Sequence, residues 1–503
     1  MLAKLKTSIQ QSFIYSLGSV AAKAVGVILL PLYLHNLSVA AFGVWDLLDT
    51  TIQILTEIVI LGQASAIIFL NNTQEYKEKK SSTLYTLTVF VLLLGSLLVL
   101  ITEAAAFYFP SLLSGSLVRI EYIRLSAYII LLRVMSNLFF AKVRAEEEAK
   151  FYTAISVVRV FLITAFSVYF IAIRQLEILG GLYGFLFTEV IITGILTIKV
   201  IPQMKPKFNR EILSKAVKFG FPLVFSSLGF MLLNLSDRYI IKILLGAADV
   251  GIYGLGYRVA GVLNMFLILP FSLSLMPLAY KYFGKHDDKR FYSKLMTYST
   301  FMFVWGFVFI SLFSPEIVRL VAGKGNYDSA FLVVPIILLS YVFSGMRLTV
   351  QLGMLLTNNT KYIAWITLSA ALLNIVLNFL FIPMFGIIAA AVNTLISFVL
   401  FYCVSQFISD KHFKIPYENG KLVLMIIVGS VLSCSVYVIT EIGIVGILFK
   451  LFLTAIFPVV LFAFKFYEKA ELEILLNPHK LKDFLFSLFS GNKNAQAEQI
   501  VEE

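Results

Sequence analysis

Residues 84–109 read LYTLTVFVLLLGSLLVLITEAAAFYF, an apolar run in which Glu103 is the only charged residue. A helix needs about 20 consecutive apolar residues to cross the hydrocarbon core of a bilayer, and this run is longer. Three lysines, Lys77, Lys79 and Lys80, stand just before it. A long apolar run behind a basic loop is typical of a membrane-spanning helix.

The same pattern recurs along the whole chain. Of the 503 residues, 59% are hydrophobic and 14% are charged, whereas soluble domains are far more polar. The sequence therefore predicts an all-α polytopic membrane protein. We predict about fourteen spans: Phe13–Leu34, Phe42–Leu70, Leu84–Phe109, Ile120–Ala141, Phe151–Ile173, Leu179–Val200, Ala216–Leu245, Val250–Tyr280, Tyr292–Phe313, Ala330–Leu356, Tyr362–Pro383, Ile387–Ile408, Leu422–Ile439 and Ile444–Phe466.

The net charge of +12 is concentrated in alternate connections between these spans. Basic connections face the cytoplasm in most membrane proteins, so the pattern predicts that both termini are cytoplasmic. Cations in short loops between apolar runs do not indicate nucleic-acid binding. We call the side with these loops the basic face; its lysines include Lys77, Lys142, Lys205, Lys281 and Lys411.

Other sequence features exclude several classes of protein. The two cysteines, Cys403 and Cys434, lie in apolar segments without metal-type spacing, so no metal site and no disulfide framework is predicted. No small-residue cleavage site follows the first apolar stretch, and we expect the first helix to remain in the mature protein. No phosphate-binding loop of the Walker type occurs, so we expect no enzyme activity and no cofactor.

The two halves of the chain repeat one another. Residues 37–45 (LSVAAFGVW) correspond to residues 245–253 (LGAADVGIY), with a glycine and an aromatic residue at the same offset. Six spans per repeat is an even number, so both copies enter from the same face, as parallel lobes with a substrate cavity between them. We predict an N-terminal lobe at 1–205, a C-terminal lobe at 206–410, a terminal helix pair at 411–468, and a cytoplasmic amphipathic helix and tail at 469–503.

Ionisable residues inside the spans are candidates for function, because each costs about 2.5–3.5 kcal/mol at a helix centre. Lys23 either attracts an anionic substrate or neutralises a carboxylate in the membrane. Glu57 either carries a coupling ion, H+ or Na+, or pairs with Lys23. Asp46 and Asp49 lie nearer the end of the same span, and Glu189 is a further candidate for proton transfer.

Arginines also interrupt the apolar spans. A guanidinium offers paired donors to phosphate and stays charged, so these residues predict a cationic cavity for an anionic substrate. Arg133 and Arg159 alternatively extend to the membrane interface. The neighbours Asp237 and Arg238 are interpreted as a structural ion pair. The predicted cavity residues are Lys23, Arg258, Arg347, Arg133 and Arg159.

Prolines mark places where spans could bend during a transport cycle, because each leaves backbone carbonyls without a helical partner. The predicted hinges are Pro31, Pro222, Pro270 and Pro277. Trp45 and Trp365 lie near the ends of spans, and we interpret both as residues of the membrane interface.

Three blocks of sequence resemble one family of transporters. They are residues 30–34 (LPLYL) with 42–45 (FGVW), residues 236–246 (SDRYIIKILLG) with 250–253 (VGIY), and residues 374–378 (NIVLN) with 382–386 (IPMFG). Together these blocks resemble the polysaccharide-transporter (Wzx-type) flippases of the multidrug/oligosaccharidyl-lipid/polysaccharide exporter superfamily. Ala389 stands where that family would be expected to have glycine.

The resemblance implies two six-helix lobes in a V-shaped arrangement with a C-terminal helix pair. It also implies that the protein moves undecaprenyl-pyrophosphate-linked oligosaccharides across a bacterial inner membrane by alternating access. The product would serve surface polysaccharide synthesis, such as O-antigen, capsule or exopolysaccharide. The implied partners are the lipid-linked glycan, membrane lipids and a polysaccharide polymerase or ligase.

Two alternatives within the superfamily remain open from the residues alone. A lipid II flippase would share the helix count and the cationic cavity but would take a head group that carries a peptide. A cation-coupled multidrug exporter usually has twelve helices, so the extra helix pair and the arginines disfavour it. The short connections opposite the basic face also disfavour a membrane-embedded glycosyltransferase.

Overall fold

The computed structural model describes residues 26–108, 118–323, 326–357, 359–438, 443–464 and 466–468, and these contain helices and turns but no strand. The predicted all-α membrane class is confirmed. The α-helices are α1 (Leu30–Asn36), α2 (Val39–Ile60), α3 (Gln63–Asn72), α4 (Lys80–Tyr108), α5 (Ile120–Ala145), α6 (Ala149–Ser167), α7 (Glu177–Val200), α8 (Arg210–Leu244), α9 (Ala247–Leu263), α10 (Leu269–Tyr282), α11 (Asp288–Leu312), α12 (Ser314–Ala322), α13 (Val334–Val350), α14 (Leu352–Leu356), α15 (Thr360–His412), α16 (Asn419–Cys434) and α17 (Ile444–Ala463).

The second predicted span is a pair of helices. Leu61 and Gly62 both have positive φ, +48° and +70°, and α2 and α3 meet there at an angle of 43°. A Cβ atom on Gly62 would lie 2.5 Å from the carbonyl oxygen of Gly220 in α8. Glycine at position 62 therefore permits both the left-handed backbone and the close approach of α3 to α8.

Two other spans are also interrupted. A π-helical turn, Asn264–Ile268, joins α9 to α10 and ends two residues before Pro270, whose ring nitrogen lacks the hydrogen that would continue the α-helical pattern. The long helix α15 breaks at Gly386, where φ is +63° and ψ is −148°. Its 53 residues would extend about 80 Å as one helix, much more than the ~30 Å hydrocarbon core, so α15 is a hairpin of two spans.

Within the described residues, eleven helical segments are long and apolar enough to cross a membrane when α15 counts once, or twelve when α2 and α3 together count as a further span. Most of the first predicted span, Phe13–Leu34, lies outside the described residues, as does the whole of the predicted terminal segment 469–503. The exact number of fourteen spans and the domain boundaries stay predictions.

The two repeated motifs pack against each other. They form the first turns of α2 and α9, and Gly43 lies on Gly251 at their crossing. A Cβ atom on Gly43 would lie 1.8 Å from the carbonyl oxygen of Ala247, and one on Gly251 would lie 2.3 Å from that of Val39. The repeat thus places glycine on both sides of one close helix contact.

Trp45, in the same motif, is only 1% exposed. Its ring contacts Tyr33 and Phe185 at centroid distances of 4.8 and 5.1 Å, and a Cβ atom on Gly181 would collide with it. The interpretation of Trp45 as an interface residue was therefore wrong, because the neighbouring helix leaves a glycine-sized space for the indole. Trp365, by contrast, is 70% exposed, and its interpretation as an interface residue stays a prediction.

Ion pairs hold the terminal helices α16 and α17 against the rest of the structure. Lys450 of α17 is 0% exposed, and its Nζ lies 2.5 Å from Glu316 of α12. At the basic face, Glu418 accepts hydrogen bonds from Lys294 at 2.9 Å and from Thr297 at 2.7 Å. Partial burial raises the pKa of Glu418, but the hydrogen bonds from Lys294, Thr297 and Lys421 outweigh it and lower the pKa to about 2.

Candidate functional site

Five charged side chains meet where α2 packs against α8 and α9. Asp46 is 2% exposed and accepts hydrogen bonds from two arginines, from Nε of Arg238 at 2.7 Å and from Nη2 of Arg258 at 2.7 Å. Asp49 accepts from the same Nη2 of Arg258 at 3.2 Å. Asp237 lies 3.6 Å from Arg238. We call these residues the ionic cluster.

The ionic cluster joins the first half of the chain to the second. Asp46 and Asp49 belong to α2, whereas Arg238 and Arg258 belong to α8 and α9. Arg238 was predicted to pair with Asp237, and it also bridges to Asp46 on the other half. With three carboxylates and two guanidiniums the cluster carries a formal charge of −1.

Aromatic rings enclose this cluster. The guanidinium carbon of Arg238 lies 4.5 Å from the centroid of Tyr257, and that of Arg258 lies 5.9 Å from the centroid of Phe42. The hydroxyl of Tyr253 donates to Asp237. Rings of this kind exclude water and so strengthen the attraction between the charges.

Glu57 lies apart from the ionic cluster. Its carboxylate accepts a hydrogen bond of 2.7 Å from Ser227 of α8, and no cation of the described residues forms an ion pair with it. Lys23, its predicted alternative partner, lies outside the described residues. The choice between pairing and ion coupling for Glu57 stays a prediction.

A second group of charges lies among the N-terminal helices. Glu189 of α7 has a side chain only 2% exposed, and it forms ion pairs with both Arg133 of α5, at 3.2 Å, and Arg159 of α6. Ser136 donates to the other carboxylate oxygen at 3.2 Å. Two guanidiniums around one carboxylate leave a formal charge of +1 at this group.

Arg347 of α13 lies at a third place, among the C-terminal helices. It is 8% exposed, and its Nη1 donates to Gln351 at 2.8 Å. No carboxylate of the described residues forms an ion pair with it. The structure thus distributes the predicted cavity arginines over three separate places rather than one.

The predicted hinge prolines occupy different positions in their helices. Pro31 lies in the first turn of α1, where proline is easily accommodated. Pro270 lies in the first turn of α10, which continues from the π-helical turn Asn264–Ile268. Pro222 and Pro277 lie inside α8 and α10. Only the latter two interrupt a helical hydrogen bond within their own helix.

Several polar contacts escaped the sequence analysis. The pair Lys450 and Glu316 was missed because a lone lysine in a very apolar span resembles one that extends to the interface. An amide ladder inside α15 was also missed: Asn378 donates to Asn374 and Asn393 donates to Asn378, each at 3.0 Å. In the described part of the chain, no group of three acidic, histidine or cysteine side chains is arranged to hold a metal ion.

A family model described as polysaccharide biosynthesis protein matches residues 8–283, more than half of the chain. The chain belongs to the polysaccharide biosynthesis protein family. The part matched to this family contains the whole ionic cluster together with Arg133, Arg159 and Glu189. A second model, MatE, matches residues 222–380, which include Arg347.

Two relatives of this family member are similar over part of their length. The probable low-salt glycan biosynthesis flippase Agl15 of Haloferax volcanii is 27% identical over 216 residues, 41% of this chain and 45% of the relative. An uncharacterised membrane protein of Methanocaldococcus jannaschii is 24% identical over 266 residues, 51% of this chain and 61% of the relative. The chain therefore spans about half the length of these relatives.

Solved structures share the fold. The lipid II flippase MurJ in an inward closed conformation superimposes with a TM-score of 0.71 at 14% identity, over 90% of this chain and all of MurJ. An inward-facing multidrug resistance transporter of the MATE family gives a TM-score of 0.64 at 15% identity, over 80% of this chain and 95% of the transporter. The family member is thus a multi-pass membrane protein with the fold of these two transporters.

Proposed function

We propose that the protein is a flippase that moves undecaprenyl-pyrophosphate-linked oligosaccharides from the cytoplasmic to the outer leaflet by alternating access. Membership of the polysaccharide biosynthesis protein family and the fold of a flippase and transporter superfamily support this proposal. The glycan would cross between the two halves of the chain while the isoprenoid tail stays in the bilayer.

The observation that carries the proposal is the net positive charge of the group formed by Arg133, Arg159 and Glu189. Arg133 and Arg159 are 14% and 21% exposed, and together they exceed the single carboxylate between them by one charge. Excess charge inside a membrane protein is costly and typically marks a substrate pathway. Guanidinium is suited to the pyrophosphate of a lipid carrier, because its paired donors match phosphate oxygens.

The ionic cluster suggests how the two halves respond to substrate. Arg258 forms ion pairs with Asp46 and Asp49 while α2 and α9 are in contact. Separation of α2 from α9 would release this guanidinium, and a phosphate group would then compensate its charge. Substrate binding and opening at this contact would thereby favour each other.

In this proposal the protein lies in the bacterial inner membrane with both termini in the cytoplasm, because loops rich in lysine and arginine, such as those of the basic face, usually lie on the cytoplasmic side. A gradient of H+ or Na+ would drive the cycle through a carboxylate such as Glu57. The flipped glycan would pass to a polymerase or ligase, and translocation itself would need no covalent step.

The proposal can be tested by depleting the protein in cells and measuring lipid-linked sugars in each leaflet. Complementation would compare wild type with Arg133→Gln and Arg159→Gln at equal abundance. Arg124→Gln is a matched control, because Arg124 lies on the same helix as Arg133 but pairs with Glu103 at the surface, with 49% of its side chain exposed.

We expect undecaprenyl-linked oligosaccharide to accumulate in the cytoplasmic leaflet and to be cleared by wild type and by the control, but at least tenfold more slowly by the two variants. Accumulation of a peptide-bearing lipid would instead indicate a lipid II flippase. Unchanged lipids with increased drug sensitivity would indicate a multidrug exporter and would refute the proposal.

A further inference from the structure

Arg347 has surroundings unlike those of the other arginines in the spans. Arg133, Arg159, Arg238 and Arg258 each form an ion pair with a carboxylate. Arg347 is more than nine-tenths buried, yet within the described residues its partner is the neutral side chain of Gln351. Its guanidinium carbon lies 5.4 Å from the ring centroid of Phe230 and 4.6 Å from that of Phe401.

Three buried donors at this place have no hydrogen-bond partner among the residues that the structure describes. They are Nε of Arg347, Nε2 of Gln351 and the hydroxyl of Ser405. Ser405 lies one helical turn after Phe401, which contacts Arg347, and one turn before Ser409, which donates to the carbonyl of Val350 at 2.7 Å. Residues four apart share one face of a helix, so Ser405 faces the same end of α13.

The buried donors of Arg347, Gln351 and Ser405 destabilise the fold unless an acceptor binds them. An unpartnered polar group in a protein interior destabilises the fold, and an uncompensated buried charge destabilises it more. Unsatisfied donors are few in folded proteins, and one of these three is the Nε of a buried cation, so this place requires an explanation. Aromatic walls add to the cost of the bare charge and would equally strengthen its attraction to an anion.

We propose that Arg347, Gln351 and Ser405 form a binding site for a phosphate group. The guanidinium, the amide and the hydroxyl provide donors, and no carboxylate of the described residues opposes an anion there. Arg347 lies nine residues before the end of α14 at Leu356, which corresponds to about 14 Å from that end at the basic face.

The source of the phosphate follows from the proposed function. If the protein is a flippase of pyrophosphate-linked glycans, this site holds the head group on the cytoplasmic side before translocation. The assignment of a phosphate site itself rests on the side chains of α13 and α15 and does not need the flippase activity.

Binding can be measured on the purified full-length protein with two probes at equal ionic strength, inorganic pyrophosphate and farnesyl pyrophosphate. The variant Arg347→Met keeps a long side chain between the two phenylalanines without the charge. The double variant Gln351→Leu with Ser405→Ala keeps the guanidinium and provides a second test if Arg347→Met fails to fold. Arg124→Gln serves as the control.

We expect Arg347→Met to weaken the binding of at least one probe on the order of ten- to a hundredfold, and the double variant to weaken it several-fold. We also expect Arg347→Met to melt at a higher temperature than wild type without probe, because a buried unpaired charge has been removed. A merely structural arginine would give a lower melting temperature.

Binding of farnesyl pyrophosphate alone would identify a lipid head group, and binding of both probes would identify the phosphate group as sufficient. The proposal is overturned if neither probe binds wild type, or if both variants bind as well as wild type. If wild type binds a probe but lipid-linked oligosaccharides do not accumulate in depleted cells, the flippase function is rejected and the phosphate site is retained.

Discussion

Replacing Asp46 with asparagine tests the ionic cluster most directly. The substitution keeps the shape of the side chain but removes the charge that Arg238 and Arg258 share, at 2.7 Å from each. Breaking a buried ion pair costs about 3–5 kcal/mol, because the remaining charge is left uncompensated. Both arginines keep a second carboxylate, so we expect a loss of about 3 kcal/mol.

Asp49→Asn is the matched comparison. Asp49 has a side chain 16% exposed and makes a single contact with Arg258 at 3.2 Å, so we expect a loss of about 1 kcal/mol or less. The assay is SDS-induced unfolding of purified protein in mixed micelles. Equal losses for the two variants would refute the reasoning that Asp46 is the shared partner.

Three further perturbations probe other parts of the fold. Glu316→Ala should lower the free energy of unfolding by about 3–5 kcal/mol, because the buried Lys450 loses its partner, and the double variant Lys450→Met with Glu316→Leu should recover most of this loss in the same assay. Gly43→Ala should lower stability by about 1–3 kcal/mol by forcing α2 away from α9, whereas Gly261→Ala, with no atom within 4 Å of the added Cβ, should show no such loss. The pKa of Glu418 lies below its ordinary value, so its stabilisation is present above pH 4.5 and is lost as the pH falls toward about 2; Glu418→Gln should show a smaller loss over that range, and equal acid sensitivity would contradict the pairing.

The sequence was sufficient for the helices because their signal is local. The predicted spans from Leu84–Phe109 to Ile444–Phe466 coincide with helices from α4 to α17, whereas the short helix α12 was not predicted. The break at Gly386 falls between the predicted spans Tyr362–Pro383 and Ile387–Ile408. The division of the second span at Leu61 and Gly62 was not predicted. A single glycine in a long apolar run carries little information about φ until its neighbour across the interface, Gly220, is known.

The candidate site was predictable in its residues but not in its pairings. Charged positions inside spans are conspicuous because they are costly, and Asp46, Arg238 and Arg258 were all identified in that way. Their contact joins positions almost two hundred residues apart, from Asp46 to Arg238, which no local pattern encodes. The predicted pooling of arginines in one cavity assumed that few carboxylates lie deep, whereas Glu189 and Asp46 each engage two arginines.

The asparagines of α15 have a consequence for how the protein enters the membrane during synthesis. At most 2% of the surface of each of these residues, Asn374, Asn378 and Asn393, is exposed. Their side chains form hydrogen bonds with one another or with Thr394 of the same hairpin. Side-chain amides are costly in hydrocarbon unless partnered. Because the two sides of this ladder come from consecutive helical spans, the hairpin can leave the translocon as one unit, with the hydrogen bonds of its amides already formed. Its insertion would then not wait for the helices that later surround it.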